Sequence, residues 1–353
     1  MNILITGGCG FVGSNLAILF KETYHTSKVI VLDNLKRRGS ELNVQRLKNA
    51  GIEFIHGDIR NKEDFDEIGD VDFIIEAAAE PSVLAGIDST PDYLVNTNLT
   101  GTINCLNFAV KKKAGLIFLS TSRIYPYQPL DDAAFTENHT RFSFSDSQIL
   151  PGVTSAGITK EFPLSGPRSL YGATKLASEL LITEYCEFLG LKAVVNRCGV
   201  ITGPWQMGKV DQGVIVLWMA RHFWKKNLTY NGYGGMGKQV RDILHIHDLF
   251  RLIDWQINHF EEMNTKTFNV GGGLNSSVSL LELTEICERI TGNKIEIAPV
   301  PENRRADVRI YITDNSEITK VSGWSPLYTP EKILTEIFDW IKSHEAQLKP
   351  ILN

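Results

Sequence analysis

The chain lacks long apolar runs, an excess of positive charge, cysteines at metal or redox spacing and any internal repeat. Val214–Ala220 is among its longer apolar stretches and is far too short to cross a bilayer, so no membrane partner is expected. Lys and Arg total 36 against 41 Asp and Glu, a net charge of −5. That gives no basic field, which argues against general nucleic-acid binding. The five cysteines, Cys9, Cys105, Cys186, Cys198 and Cys287, are odd in number and never spaced C-x-x-C. Neither a disulfide framework nor a metal site is expected, and a reducing cytoplasm fits. The opening residues Met1–Thr6 are apolar but break at once into glycines. They carry no cationic region or cleavage site, so they do not read as a signal peptide.

What is present is ordinary globular composition: 353 residues, 43% hydrophobic and 22% charged. That is enough for one large domain or two ordinary ones. Strand and helix patterns alternate through the first half. Strands are expected at Asn2–Thr6, Lys28–Leu32, Glu53–His56, Asp72–Glu76, Gly115–Ser120 and Ala193–Arg197. Helices are expected at Phe11–Lys21, Pro91–Lys113 and Ser169–Leu189, the last stopped by Gly190. This alternation predicts an α/β fold with a doubly wound parallel sheet, whose ligands sit at the carboxyl ends of the strands. The Pro-, Ser- and Asp-rich stretch from Pro126 to Gly166 shows no clear period and reads as a functional loop such as a lid, or else as a missed element. Beyond Gly203 the pattern turns irregular, with helices at Ser279–Thr291 and Pro330–Ser343.

Gly7-Gly-Cys-Gly-Phe-Val-Gly13 follows the first strand and opens a helix. Glycines there permit a tight turn and let backbone approach a pyrophosphate, which the helix N-terminus attracts. Asp33 ends the second strand 20 residues after Gly13, where a carboxylate accepts ribose hydroxyls. Together they predict a Rossmann-type dinucleotide site. Asp33 favours NAD over NADP because it repels a 2′-phosphate. Arg37 and Arg38 close behind read equally as attractors of that phosphate or as a solvated basic turn. Gly57-Asp58-Ile59 is placed to meet the adenine, or Asp58 is a helix N-cap. The expected division is a dinucleotide domain over residues 1–200, with segments near 242–248 and 267–271 returning to its sheet. Residues 201–353 form a smaller C-terminal α/β substrate domain.

Tyr-x-x-x-Lys occurs three times, at Tyr24/Lys28, Tyr171/Lys175 and Tyr328/Lys332. Only Tyr171 opens a helix after the fifth strand and its Ser120-Thr121-Ser122 cluster. Spacing of four puts Tyr171 and Lys175 on one helix face. A tyrosine titrates near pH 10, about three units too high for a base at neutral pH. A neighbouring ammonium and a cationic nicotinamide lower that value. Tyr171 is then fit to exchange the proton of a sugar hydroxyl, with Thr121 holding that oxygen and Lys175 also reaching the nicotinamide ribose.

The glycine turn, Asp33-Asn34, Gly57-Asp58-Ile59, Asn98-Leu-Thr-Gly101-Thr102, Ser120-Thr121, Tyr171-Gly-Ala-Thr-Lys175 and Arg241-Asp242 run along most of the chain. With them it resembles the extended short-chain dehydrogenase/reductases that act on nucleotide-sugars. Asp211-Gln-Gly213, Gly237-Lys-Gln-Val-Arg-Asp242, Asn269-Val-Gly-Gly-Gly and Asn275–Leu283 are similar to the branch that epimerises CDP-linked deoxyhexoses at C2. The resemblance implies bound NAD regenerated in each turnover, held by Gly7, Gly10, Phe11, Val12 and Gly13. It further implies contacts from Asp33, Asn34, Asp58 and Ile59, from Ala77, Ala78 and Ala79, and from Asn98, Ser120, Tyr171 and Lys175. It also implies a homodimer joined through the helices Pro91–Lys113 and Ser169–Leu189. The chain departs from the family at Glu76-Ala-Ala-Ala-Glu80, where a His-x-Ala segment is usual, and at Pro126, where glycine is common.

A nucleotide-sugar carries a diphosphate, which planar Arg forks bind well. The resemblance assigns the substrate to Thr121, Ser122, Gln212, Lys238, Arg241 and Arg304, with Arg309 equally a ligand or part of a network with Asp307. The competing readings are a C4 epimerase, a dehydratase or a reductase on the same scaffold, and a non-catalytic NAD-dependent sensor. A 4,6-dehydratase of the family carries Asp-Glu directly after the threonine, where this chain has Ser122-Arg123.

Overall fold

A computed structural model describes residues 1–87, 90–208 and 212–352. Asp211 of the Asp211-Gln-Gly213 motif lies outside the described residues. The chain divides into two compact units. The first comprises Met1–Ile124, Ser169–Arg197 and Leu249–Phe268.

A seven-stranded parallel sheet organises the first unit. Its strands are β1 (Asn2–Thr6), β2 (Lys28–Asp33), β3 (Glu53–His56), β4 (Phe73–Glu76) and β5 (Gly115–Thr121), followed by Ala193–Cys198 and Thr267–Val270. The spatial order is Thr267–Val270, Ala193–Cys198, β5, β4, β1, β2, β3. The order therefore reverses beside β1, between β2 on one side and β4 on the other. Thr6 is in register with both Leu32 and Glu76, so three carboxyl ends meet at the switch point where such sheets bind ligands. Ile3, Leu4, Ile5 and Val29–Leu32 are at most 2% exposed, as strands of a sheet covered on both faces must be.

The helix α1 (Phe11–Thr23) leaves the glycine turn. The stretch read as one amphipathic helix is α-helical over Asp92–Val95 and Gly101–Lys112, with a π-helical turn, Asn96–Thr100, between them. Such turns cluster at functional sites. The helix Leu170–Leu189 is capped by Ser169, whose Oγ accepts the Gly172 N–H at 3.1 Å, and it ends at Gly190 with φ +69°. The left-handed glycine at its end is the local signal that made its stop legible, and the Ser169 cap fixes its start.

The second unit comprises Tyr125–Arg168, Cys198–Asp248 and Asn269–Asn353. In its mixed sheet Val240–His245 runs parallel to Val200–Thr202 and Ile310–Tyr311 and antiparallel to Ser277–Ser279. The helices Val214–Phe223, Leu280–Thr291 and Pro330–Ser343 pack on one another. Leu280–Thr291 opens with a capping box in which Ser279 and Glu282 satisfy each other's backbone N–H, which fixes its start.

Three expectations are corrected. The segment near 242–248 does not return to the seven-stranded sheet. Val240–His245 is almost wholly buried, and a short buried strand carries no mark of which sheet it joins. Only Thr267–Val270 does return. Pro126–Gly166 is not structureless: it holds the helix Tyr127–Asp132 and the strand pairs Phe135–Glu137 with Phe142–Phe144 and Val153–Thr154 with Gly157–Ile158. Strands of two or three residues are too short to show a period. Finally, Tyr125–Arg168 belongs to the second unit, which is neither purely C-terminal nor the smaller one.

Candidate active site

The glycine turn is built by close approach. Gly7 has φ +65°, and a Cβ there would lie 2.7 Å from Ala78 Cα, so the turn can press on the chain leaving β4. A Cβ on Gly13 would meet the Gly7 carbonyl oxygen at 2.3 Å, so only glycine lets α1 start this near the strand. No side chain among the described residues caps α1. The amides of Phe11 and Val12 in its first turn therefore face out of a partly exposed helix end, a ready-made phosphate site.

Asp33 is oriented from the same turn. Its Oδ2 accepts the Cys9 N–H at 3.0 Å and its Oδ1 the Leu35 N–H at 2.8 Å. Burial raises its pKa, and these two bonds pull against that rise. An ionised carboxylate has about four lone-pair sites, so acceptor capacity remains for ribose hydroxyls. The uncapped helix end, the Gly7–Ala78 approach and Asp33 thus fit a dinucleotide.

Other expected cofactor residues have more structural duties. Asn34 Nδ2 donates to Asp58 Oδ2 at 2.8 Å, and Arg60 forks onto the same carboxylate at 2.6 and 2.9 Å. Burial pushes Asp58 upward, but the bonds from Arg60 and Asn34 outweigh it and hold the group down at about 2. The Ile59 side chain is buried in the core cluster. Asn98, in the π-turn, binds Glu80 through both backbone groups, at 2.8 and 3.1 Å, and donates to Thr174 Oγ1 at 3.3 Å. It fastens the segment after Ala77, Ala78 and Ala79 to the Tyr171 helix.

Thr121 ends β5 buried, its Oγ1 accepting the Arg123 N–H at 3.2 Å, and Ser122 follows partly buried. Ser120 Oγ donates at 2.5 Å to Glu179, which Arg197 grips from Nε at 3.0 Å and Nη2 at 2.8 Å. Sequence reasoning missed this buried pair, because nothing local links Glu179 to Arg197. Tyr171 lies partly buried in the first turn of its helix. Lys175, one turn on, is buried with its ammonium 4.0 Å from the Phe118 ring centroid.

In the second unit the expected substrate cations are already paired. Arg241 Nη2 donates to Asp307 Oδ1 at 2.8 Å and to the Val308 carbonyl at 2.6 Å. Lys238 meets Glu137 at 2.7 Å. Arg309 bonds the Asp131 carbonyl at 2.9 Å and lies 4.1 Å from the Phe135 ring and 5.0 Å from that of Tyr233. The expected Arg309–Asp307 network is therefore replaced by Arg309–Asp131, with Asp307 serving Arg241. Arg304 is partly buried, and Gln212 precedes the helix Val214–Phe223. Asp242 of the Arg241-Asp242 motif is fully buried and accepts N–H bonds from Gly273 at 3.0 Å and Thr313 at 3.2 Å. Asp242 thereby ties its strand to the Gly271–Gly273 turn. Among the described residues no cluster of His, Cys, Asp or Glu could hold a metal, and no helix is long and apolar enough to cross a membrane.

The switch-point glycine turn, Asp33 and the Tyr171–Lys175 helix define a Rossmann-like chain that uses NAD. A model of the NAD dependent epimerase/dehydratase family matches residues 3–271, and the chain belongs to that family. It is 31% identical to CDP-paratose 2-epimerase of Salmonella typhi over 97% of this chain and all of that one. Among solved structures it resembles UDP-glucose 4-epimerase of Thermotoga maritima with UDP-glucose, at 26% identity and TM-score 0.78, covering 98% of this chain and 100% of the other. It equally resembles dTDP-glucose 4,6-dehydratase of Bacillus anthracis in complex with NAD, at 26% identity and TM-score 0.78, covering 99% of each. These relatives share a scaffold and differ in reaction, so the family alone does not select among them.

Proposed function

We propose that the chain is a nucleotide-sugar epimerase that inverts C2 of a CDP-linked deoxyhexose by transient oxidation. The observation that carries this reading is Tyr171 in the first turn of its helix with the Lys175 ammonium buried one turn on. Bound NAD supplies a reversible hydride acceptor. The chain's residues manage the rest. Thr121 holds the reacting hydroxyl, and Tyr171 takes its proton and later gives it back. Lys175 supports the phenolate. Gly7, Gly10, Phe11, Val12 and Gly13 hold the pyrophosphate, and Asp33 holds the ribose. Lys238, Arg241 and Arg304 are assigned the substrate diphosphate, with Ser122 and Gln212 on the sugar side. Arg241 then shares itself between Asp307 and phosphate. Arg309, held by Asp131 and aromatic rings, is assigned to shape that region.

Ser122-Arg123 stand where a 4,6-dehydratase needs an acid and a base, which favours epimerisation over dehydration. The likeness to the Salmonella typhi enzyme favours a CDP-sugar and C2. A homodimer through the helix Leu170–Leu189 is part of the proposal. That helix leaves Leu180, Phe188 and Leu189 at 64%, 76% and 54% exposure, apolar surface that a partner helix would cover. Two chains by light scattering is the expected mass.

The test is incubation with CDP-, UDP- and dTDP-sugars and NMR of the products. A C2 epimer from a CDP-sugar that keeps a deuterium placed at C2 is expected. A C4 epimer, a dehydrated product or solvent hydrogen at C2 would overturn the assignment.

A further inference from the structure

Glu76 closes β4 and is wholly buried. Its register partners are Thr6 on β1 and Phe118 on β5. Register partners on adjacent strands project to one face, about 4.8 Å apart. The Lys175 ammonium stands over that same Phe118 ring, so the helix Leu170–Leu189 delivers a cation beside the carboxyl. The helix Gly101–Lys112 delivers two more neighbours. Thr102 Oγ1 lies 2.5 Å from Glu76 Oε1, and the Cys105 thiol adjoins the group. Glu76 Oε2 has no hydrogen-bond partner of good geometry among the described residues. A buried carboxylate left so needs a compensating charge. Of the titratable groups facing it, Cys105 is held neutral by burial, its pKa raised well above the ordinary thiol value. Lys175 is the cation.

We infer that Glu76 is a positioning residue for proton transfer: it is the buried counter-charge of Lys175 and sets, through that ammonium, the pH at which Tyr171 releases its proton. With Glu76 ionised, the Glu76–Lys175–Tyr171 group is neutral before Tyr171 ionises and carries −1 after. With a neutral residue at position 76, the group starts at +1 and ends neutral. Losing a proton from the positive group is easier, so Glu76 holds the Tyr171 titration high. Burial pushes the Glu76 carboxyl upward, while Lys175 and the Thr102 bond pull it back. Protonating Glu76 as pH falls removes the same charge that a Glu76→Gln substitution removes.

The inference rests on the Tyr171–Lys175 reading above, and its test needs no substrate. Phenolate absorbance of the NAD-loaded protein is titrated, and subtracting the Tyr171→Phe titration isolates Tyr171. The same subtraction in a Glu76→Gln background is expected to move the transition about one pH unit lower, within the range that nearby charges produce. Glu76→Asp is expected to restore it. A Tyr171 transition that Glu76→Gln leaves in place overturns this inference alone. No transition removed by Tyr171→Phe overturns both this inference and the acid–base role of Tyr171. Should the Glu76 variants not fold, Lys175→Met tests the same pairing. Loss of the ammonium is expected to bring up the infrared carbonyl stretch of a buried protonated carboxyl at neutral pH. Identical carboxyl bands with and without Lys175 would refute the pairing.

Discussion

Tyr24, Tyr171 and Tyr328 each stand four residues before a lysine, and their surroundings separate them. Tyr24 donates to Asp254 at 2.6 Å and accepts from Asn258 at 2.9 Å. Tyr328 stacks on His245 at 3.9 Å, and the Lys332 ammonium lies over the Tyr328 ring, 3.7 Å from its centroid. Both are structural tethers. Tyr171→Phe is expected to lower turnover about a hundredfold or more, the usual contribution of a positioned proton carrier, while NAD binding survives. Tyr24→Phe should leave turnover unchanged and cost about 1 kcal/mol of stability. Steady-state kinetics and urea unfolding check the two. At Glu179 the expectation is reversed in kind. Its removal strands the buried Arg197 guanidinium and the Ser120 hydroxyl, so Glu179→Ala should cost about 3–5 kcal/mol in unfolding. Tyr171 was legible because both partners lie on one helix turn. The Glu179–Arg197 pair was not, since it joins a helix to a strand.

At the scale of elements, the proposed NAD site rests on backbone geometry at the start of α1. A methyl on Gly13 would overlap the Gly7 carbonyl, so Gly13→Ala must push the helix from the turn. Overpacking of this kind costs about 1–3 kcal/mol. If the NAD-binding conformation bears it, the dissociation constant rises about ten- to a hundredfold. NAD titration by calorimetry measures that rise, and an unchanged affinity would show that the turn does not set it. The helical run from Asp92 to Lys112 teaches a different lesson. Its amphipathic pattern was readable, yet the π-turn that aims Asn98 at Glu80 and Thr174 was not. A one-residue bulge scarcely alters a period of 3.6.

For the whole molecule, buried histidines set the expected pH dependence of stability. Burial, with smaller effects from His247 and Lys332, pushes His245 down to about 3, and burial also lowers His222. In the unfolded chain a histidine titrates near 6.5. Above that pH neither state binds the proton and stability is full. As pH falls from about 6.5 toward 3, the unfolded state binds a proton that folded His245 does not. Stability then falls, by up to about 1.4 kcal/mol per pH unit for this group. His245→Phe keeps a ring on Tyr328 and should flatten the slope between about pH 6.5 and 5, above the range where most carboxylates titrate. Urea midpoints across that range decide it. An unchanged slope in the variant would mean that His245 is protonated alike in both states.

The sequence by itself determined the alternating sheet, the glycine turn with Asp33, the helix carrying Tyr171 and Lys175, and membership of a family. Each is written in spacing: 20 residues from Gly13 to Asp33, four from Tyr171 to Lys175, and a glycine just after the helix that carries them. Such signals are local, because strand and helix periods fix which residues share a face. The tertiary structure alone decided that Val240–His245 joins the second sheet, that Asp131 and Asp307 take Arg309 and Arg241, and that Glu76 lies beside Phe118 under the Lys175 ammonium. Those outcomes depend on strand order and on contacts between residues tens to hundreds of positions apart. No periodicity along the chain records them, for they exist only once a core has excluded water and buried polar groups must find partners.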